Sequence, residues 1–181
     1  MTTIAVKRYA DRTEIACDSR MTSDHSVCNF INNDKLLLHE NTLFGIAGDA
    51  SFAGDIEYII RSNLDTPVED KDDVYMLVND IYNLLKDLPR LDNIDSNPVC
   101  MLIILKNGLP FYVCDRFVAE IKNTYAIGSG CEYAIGYLEH DNATVYDAVK
   151  TAAKYDIFTD DNIVLYTVKN DTITKHGDEN E

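Results

Sequence analysis

The sequence predicts an α+β fold, a four-layer αββα sandwich built on two antiparallel sheets, and three observations lead there. Apolar runs of strand length come in neighbouring pairs separated by short polar turns. Two pairs of longer stretches carry apolar residues at helical spacing instead. The resulting order is strands, two helices, strands, two helices, strands, so each helix pair has an outer sheet face to cover. A chain of 181 residues with 46% hydrophobic content suits a single domain over 1–181, large enough to bury roughly two thirds of its unfolded surface. Residues 177–181 read as a polar, frayed tail.

Residues 3–9 and 13–19 flank the polar turn Ala10-Asp11-Arg12 and form a hairpin whose first strand begins at Thr2. Antiparallel pairing returns the far end of the second strand to the start of the first, which brings Asp18 close to Thr2. A second hairpin joins Lys35–Leu38 to Leu43–Gly48 through His39-Glu40-Asn41, and Phe52, Ile56, Ile59 and Ile60 then mark a helix from Asp49 to about Leu64. After a charged connection, Val74, Leu77, Val78, Ile81, Leu84, Leu85 and Leu88 trace the stripe of a longer helix, followed by a loop over 91–97. Strands at 100–105 and 110–114 enclose the hairpin signal Asn107-Gly108, and further strands are expected at 117–122 and 125–128. Beyond Gly128-Ser129-Gly130, helical spacing resumes at Tyr133, Ala134 and Leu138 and again at Val145, Ala148, Val149 and Ala152. Strands at 163–168 and 172–175 close the domain.

Composition excludes several classes of function. A formal net charge of -15 with no Lys/Arg cluster argues against nucleic acid or an anionic membrane as partner. No apolar run reaches spanning length, and the start lacks the order of a signal peptide, so a cytoplasmic protein is expected. The five cysteines are scattered without paired spacing and argue against a disulfide framework or a zinc site. Nor do His25, His39, His140 and His176 have metal-type spacing.

Two features carry chemistry. Removal of Met1 would leave Thr2 with a free α-amine of pKa roughly 7.7–8.0 beside its own hydroxyl, a nucleophile with a base on the same residue. At a strand-to-helix junction, the Gly48 amide sits near the positive end of a helix dipole and suits a developing oxyanion.

Thr2-Thr3-Ile4-Ala5-Val6, Ala16-Cys17-Asp18-Ser19-Arg20-Met21-Thr22, Lys35, Gly45-Ile46-Ala47-Gly48-Asp49, Gly128-Ser129-Gly130 with Tyr133-Ala134, and Asp156-Ile157-Phe158-Thr159 resemble the successive signature blocks of proteasome β subunits and the bacterial HslV-type peptidase. They stand in that family's order and close to its spacing, from the first residue to about Val168. The resemblance implies the Ntn-hydrolase fold and a threonine protease. Thr2 would be the nucleophile, with Lys35 the active-site lysine, Asp18 its partner and Arg20 a brace for that pair. Gly48 would supply an oxyanion donor, while Ser129 and Asp156 would orient the terminal amine, with Thr159 standing where the proteasome has a serine. Thr22, Gly48 and Ala50 match positions that pair with an extended substrate. Met21, Ile46 and Ala50 match the first specificity pocket and are all apolar.

The same resemblance implies polypeptide substrates, a ring of identical subunits and gating by an AAA+ ATPase. This chain has no phosphate-cradling glycine loop of its own. No cofactor is required by this chemistry, and a monovalent cation in the loop Thr159–Asn162 is a further expectation. The Met-Thr-Thr start resembles the HslV type, exposed by methionine removal alone, whereas Asp18-Ser19-Arg20 and the block at 156–159 are more similar to proteasome subunits. Two other readings stand beside the peptidase: a catalytically silent scaffold or regulatory ring subunit, and an amidase acting on small molecules.

Overall fold

Strands whose two faces are both apolar must be covered on both sides, and that requirement sets the layers. In the computed structural model, residues 2–23, 26–28, 35–64, 67–86 and 99–176 are described. Met1, His25, Leu88, the 91–97 loop and the 177–181 tail lie outside them. One sheet has the order β10 (Thr124–Gly128), β1 (Thr3–Arg8), β2 (Thr13–Asp18), β11 (Ile163–Lys169), β12 (Thr172–His176). The other runs β5 (Leu36–His39), β6 (Thr42–Ala47), β7 (Cys100–Ile104), β8 (Pro110–Cys114), β9 (Phe117–Glu120), and every neighbouring pair in both is antiparallel. A small hairpin, β3 (Met21–Ser23) with β4 (Ser26–Cys28), stands apart from both sheets.

Alternation along each strand sorts side chains into three apolar layers. Ile4 and Val6 of β1, Ile15 and Cys17 of β2, and Leu102 and Ile104 of β7 fill the space between the sheets. Phe44, Met101, Ile103, Phe111 and Val113 point the other way, under α1 (Ala50–Asn63) and α2 (Lys71–Lys86). On the outer face of the first sheet the strand residues are small. Ala5, Ala16 and Ala126 meet Ala134 of α3 (Cys131–Leu138) and Ala148 and Ala152 of α4 (Val145–Tyr155). Small residues on both sides let the helix backbones approach the sheet closely. Together the layers form the expected αββα sandwich.

Local chemistry fixes the element ends. The Asp49 carboxylate accepts from the Ser51 amide at 2.9 Å and caps α1, and the Thr144 hydroxyl accepts from the Asp147 amide at 3.1 Å and caps α4. Glu40 and Asn41 carry φ of 45° and 62°, the paired left-handed conformation that a two-residue hairpin turn requires. His39 accordingly closes β5 instead of belonging to the turn. The β3–β4 hairpin has no sequence-based expectation behind it, because three-residue strands show no readable alternation.

Leu102, fully buried between the sheets, tests the inner layer. Leu102→Ala is expected to lower unfolding free energy by about 2–5 kcal/mol through lost transfer energy and the cavity left behind, read from urea denaturation monitored by circular dichroism.

Candidate active site

All the predicted polar residues lie at one end of the sandwich, where strand termini from both sheets converge. β1 begins there, β2 and β10 end there, β6 of the second sheet ends at Ala47, and Lys35 leads into β5. Gly128 of β10 faces Thr3 across the ladder. Its φ of +95° suits glycine, and a Cβ at this position would meet the Thr2 carbonyl oxygen in a steric collision. Only a bare backbone lets the start of β1 settle against β10.

Asp18 is fully buried and accepts hydrogen bonds from Thr3, from Lys35 and from Arg20 two residues along its own segment. The Thr3 amide and Lys35 Nζ both donate to Oδ1 at 2.8 Å, and the Arg20 amide donates to Oδ2 at 3.0 Å. Burial pushes the Asp18 carboxyl above its usual value, and the Lys35 ammonium and the Thr3 amide pull it part of the way back. The Lys35 side chain is itself only 10% exposed. The ammonium therefore sits one carboxylate oxygen away from the peptide that follows Thr2.

A second carboxylate holds the other side of the same terminus. The Ser129 hydroxyl lies 2.6 Å from Asp156 Oδ2 and 3.4 Å from the Thr2 carbonyl, and Thr159 Oγ1 donates to Asp156 Oδ2 at 2.7 Å. Thr3 Oγ1 is 2.6 Å from Thr159 Oγ1. Because the only proton of Thr159 is committed to the carboxylate, Thr3 is the donor in that contact. Burial by itself would raise Asp156, but the Ser129 and Thr159 hydroxyls and the Phe158 amide more than offset it, and the carboxyl lies below its usual value. The two acids are thus shifted in opposite directions by environment alone.

The remaining predicted residues fall around these anchors. Gly48 follows β6 with φ of +154°, packs against Val99, and directly precedes Asp49, the cap of α1. Ala50 opens α1 and is exposed, Met21 and Thr22 lie half-buried on β3, and Ile46 packs beneath the α1–α2 layer. Arg20 meets the Asp18–Lys35 pair through its backbone only. Its guanidinium reaches across the 157–160 loop, where Nη1 donates to the Ile157 carbonyl at 2.8 Å and Nε stands 4.0 Å from Asp160 Oδ2.

Sequence reasoning missed Thr3 and Asp160. Register would have found the first, since a hairpin pairing Ile4 with Cys17 sets Thr3 opposite Asp18. Asp160 accepts from the Ser19 amide at 3.0 Å and lies within hydrogen-bond reach of its hydroxyl, and Asn162 Nδ2 donates to Ser19 Oγ. Among the described residues no cluster of three His, Cys, Asp or Glu offers a metal site, and no step below involves an ion. Among the same residues no helix is long and apolar enough to cross a membrane.

Known proteins resemble the chain in sequence and in fold. No family model matches the chain. The ATP-dependent protease subunit HslV of Lactobacillus leichmannii is 27% identical over 177 residues, covering 91% of this chain and 96% of that protein. The subunit of the same name from Borreliella afzelii (strain PKo) is 29% identical over 183 residues, covering 94% and 97%. Among solved structures, Thiobacillus denitrificans BPH in complex with epoxomicin superposes with a TM-score of 0.82 at 21% identity, over 92% of this chain and 98% of that one. A second BPH structure gives 0.81 at the same identity. The αββα fold is the one shared with these BPH structures. Similarity to these HslV subunits runs along nearly the whole chain.

The Asp156 anchor has a pH signature. A carboxyl depressed in the fold contributes stability that is complete above the unfolded value of about 3.9 and is lost as pH falls through the lower folded value. Urea midpoints of the wild type and Asp156→Asn should therefore differ at neutral pH, with the wild type the more stable, and converge as the pH falls through that window.

Proposed function

We propose that the chain is the threonine peptidase subunit of an ATP-dependent protease, with Thr2 as nucleophile once Met1 is removed. The observation that supports this most is the way Thr2 is held from both sides. Its carbonyl faces Gly128 and the Ser129 hydroxyl, and the next amide is bound to a buried carboxylate that also binds a lysine. In this reading the Thr2 α-amine takes the hydroxyl proton as Oγ1 attacks the substrate carbonyl carbon. The positive charge of Lys35, held by Asp18, favours the developing alkoxide and disfavours a protonated amine. Ser129, with Asp156 and Thr159 behind it, directs the amine. As the tetrahedral intermediate forms, the Gly48 amide donates to its oxyanion, an interaction whose loss typically costs on the order of 100-fold or more. The amine then returns its proton to the leaving nitrogen, and water hydrolyses the acyl-threonine ester.

Thr22, Gly48 and Ala50 would pair by backbone with an extended polypeptide, and Met21, Ile46 and Ala50 would form an apolar pocket for the residue preceding the scissile bond. Identical subunits in a ring would enclose the threonines, and an AAA+ unfoldase would supply unfolded substrate and consume the ATP. The HslV relatives are named as subunits of an ATP-dependent protease, which supports the ATPase partner.

Intact-mass measurement tests the nucleophile. Loss of Met1 and a single adduct with an electrophile selective for N-terminal threonine are expected, with both adduct and peptide hydrolysis abolished in Thr2→Ala. Met1 retained, with no adduct, would favour the scaffold reading, and hydrolysis of small amides without peptides would favour the amidase. For the pocket, a fluorogenic peptide with leucine at the cleavage site should be hydrolysed faster than its lysine counterpart, and the opposite order would remove Met21, Ile46 and Ala50 from that role.

A further inference from the structure

Outside the Thr2 corner, one pair of nucleophilic side chains has no part in the mechanism. Cys100 opens β7 and Cys114 closes β8, and the register sets them directly opposite one another. Their sulfurs are 2.9 Å apart with the Cys100 thiol as donor, and the Tyr112 hydroxyl stands 3.6 Å from Cys100 Sγ. Both cysteines are reduced and half-buried.

The hairpin dictates the kind of pair. The Leu105 amide donates to the Leu109 carbonyl at 3.1 Å and the Gly108 amide to Leu105 at 2.8 Å, which makes Leu105 and Leu109 a hydrogen-bonded pair. Bonded and non-bonded pairs alternate along an antiparallel ladder. Ile104–Pro110 is then non-bonded, as proline's missing N–H requires, and so is Cys100–Cys114 four steps further on. Non-bonded partners bring their Cα atoms to about 4.5 Å and their side chains closest together, inside the window of about 4.4–6.8 Å that a disulfide spans. The register therefore places the two thiols within disulfide reach.

We propose that Cys100 and Cys114 form a cross-strand dithiol that a peroxide-class oxidant converts to a disulfide. The Cys100 S–H donates to the Cys114 sulfur, so the Cys100 proton is engaged within the pair and Cys114 is the sulfur oxidised first. Burial, which pushes the Cys100 thiol up to about 11, keeps Cys100 protonated and slow towards oxidant by itself. Cys114 thiolate displaces hydroxide from hydrogen peroxide to give a sulfenic acid. Cys100 sulfur then attacks that sulfur, its proton leaves with the departing hydroxide as water, and the net change is two thiols and one peroxide to one disulfide and two waters. The bond would join β7 to β8 one residue after Val99, which packs on Gly48, and beside Ala47, the partner of Cys100 in β6.

The full-length protein treated with hydrogen peroxide under native conditions tests this. Expected are a mass decrease of two hydrogens, reversal by a thiol reductant, a non-reducing peptide map linking Cys100 to Cys114 within one chain, and a higher thermal midpoint for the oxidised form. Cys114→Ser should leave Cys100 unmodified under the same exposure, whereas Cys100→Ser should leave Cys114 open to successive oxygen additions. A map in which both thiols remain free, or in which either pairs with Cys17, Cys28 or Cys131, would overturn the proposal. Equal oxidation of Cys100 in the Cys114→Ser variant would overturn the order of attack.

Discussion

A single buried carboxylate organises the functional end of the molecule. Asp18 belongs to the first sheet, while Lys35 leads into the edge strand of the second, so their contact ties the two sheets together at that end. An ionised carboxylate removed from water costs several kcal/mol unless its oxygens are satisfied. Here the Thr3 amide, Lys35 Nζ and the Arg20 amide share that task. The start of β1 and the residue leading into β5 must therefore both arrive at the end of β2, where the Arg20 amide turns back onto the same carboxylate. Any arrangement that displaced the start of β1 would leave a buried acid short of a donor.

Asp156 holds the opposite side of the terminus by different means. No cation touches it among the described residues, and hydroxyls and an amide keep it ionised. The hydroxyls are linked in series, with Thr3 donating to Thr159 and Thr159 to the carboxylate, while Ser129 approaches from the other side. Thr3 thus contributes twice, through its amide to one acid and through its hydroxyl chain to the other. That double role explains why a residue outside the proposed chemistry is completely buried.

Much of this was legible in the sequence, for physical reasons that can be named. The hairpin at 3–19 was readable because turn and alternation agree, and it carried Asp18 to the start of β1. The strand ending in a glycine and the helical spacing that begins at Asp49 marked the junction at Gly48. What escaped depends on register or on distant strands. Nothing local says that β10 pairs with β1, which is what puts Ser129 beside Thr2, so Ser129 was expected there from the family resemblance alone. Cysteine spacing likewise gave no hint of the facing thiols, since their distance comes from the ladder and not from their separation along the chain. The side chain of Arg20 was expected at the Asp18–Lys35 pair, yet a guanidinium can reach well beyond its own backbone, and this one spans to the Ile157 carbonyl.

The seat of Thr2 is made from main chain. Its carbonyl oxygen rests where Gly128 has no side chain, and the peptide that follows is held through its N–H. The contacts that position residue 2 are thus separate from the group that would react. With Met1 removed as proposed, position 2 would work as an interchangeable cartridge: serine, cysteine or a synthetic amino acid placed there would inherit the same backbone pose. Differences in reactivity along such a series would report the intrinsic chemistry of the side chain, with the geometry held constant by the fold.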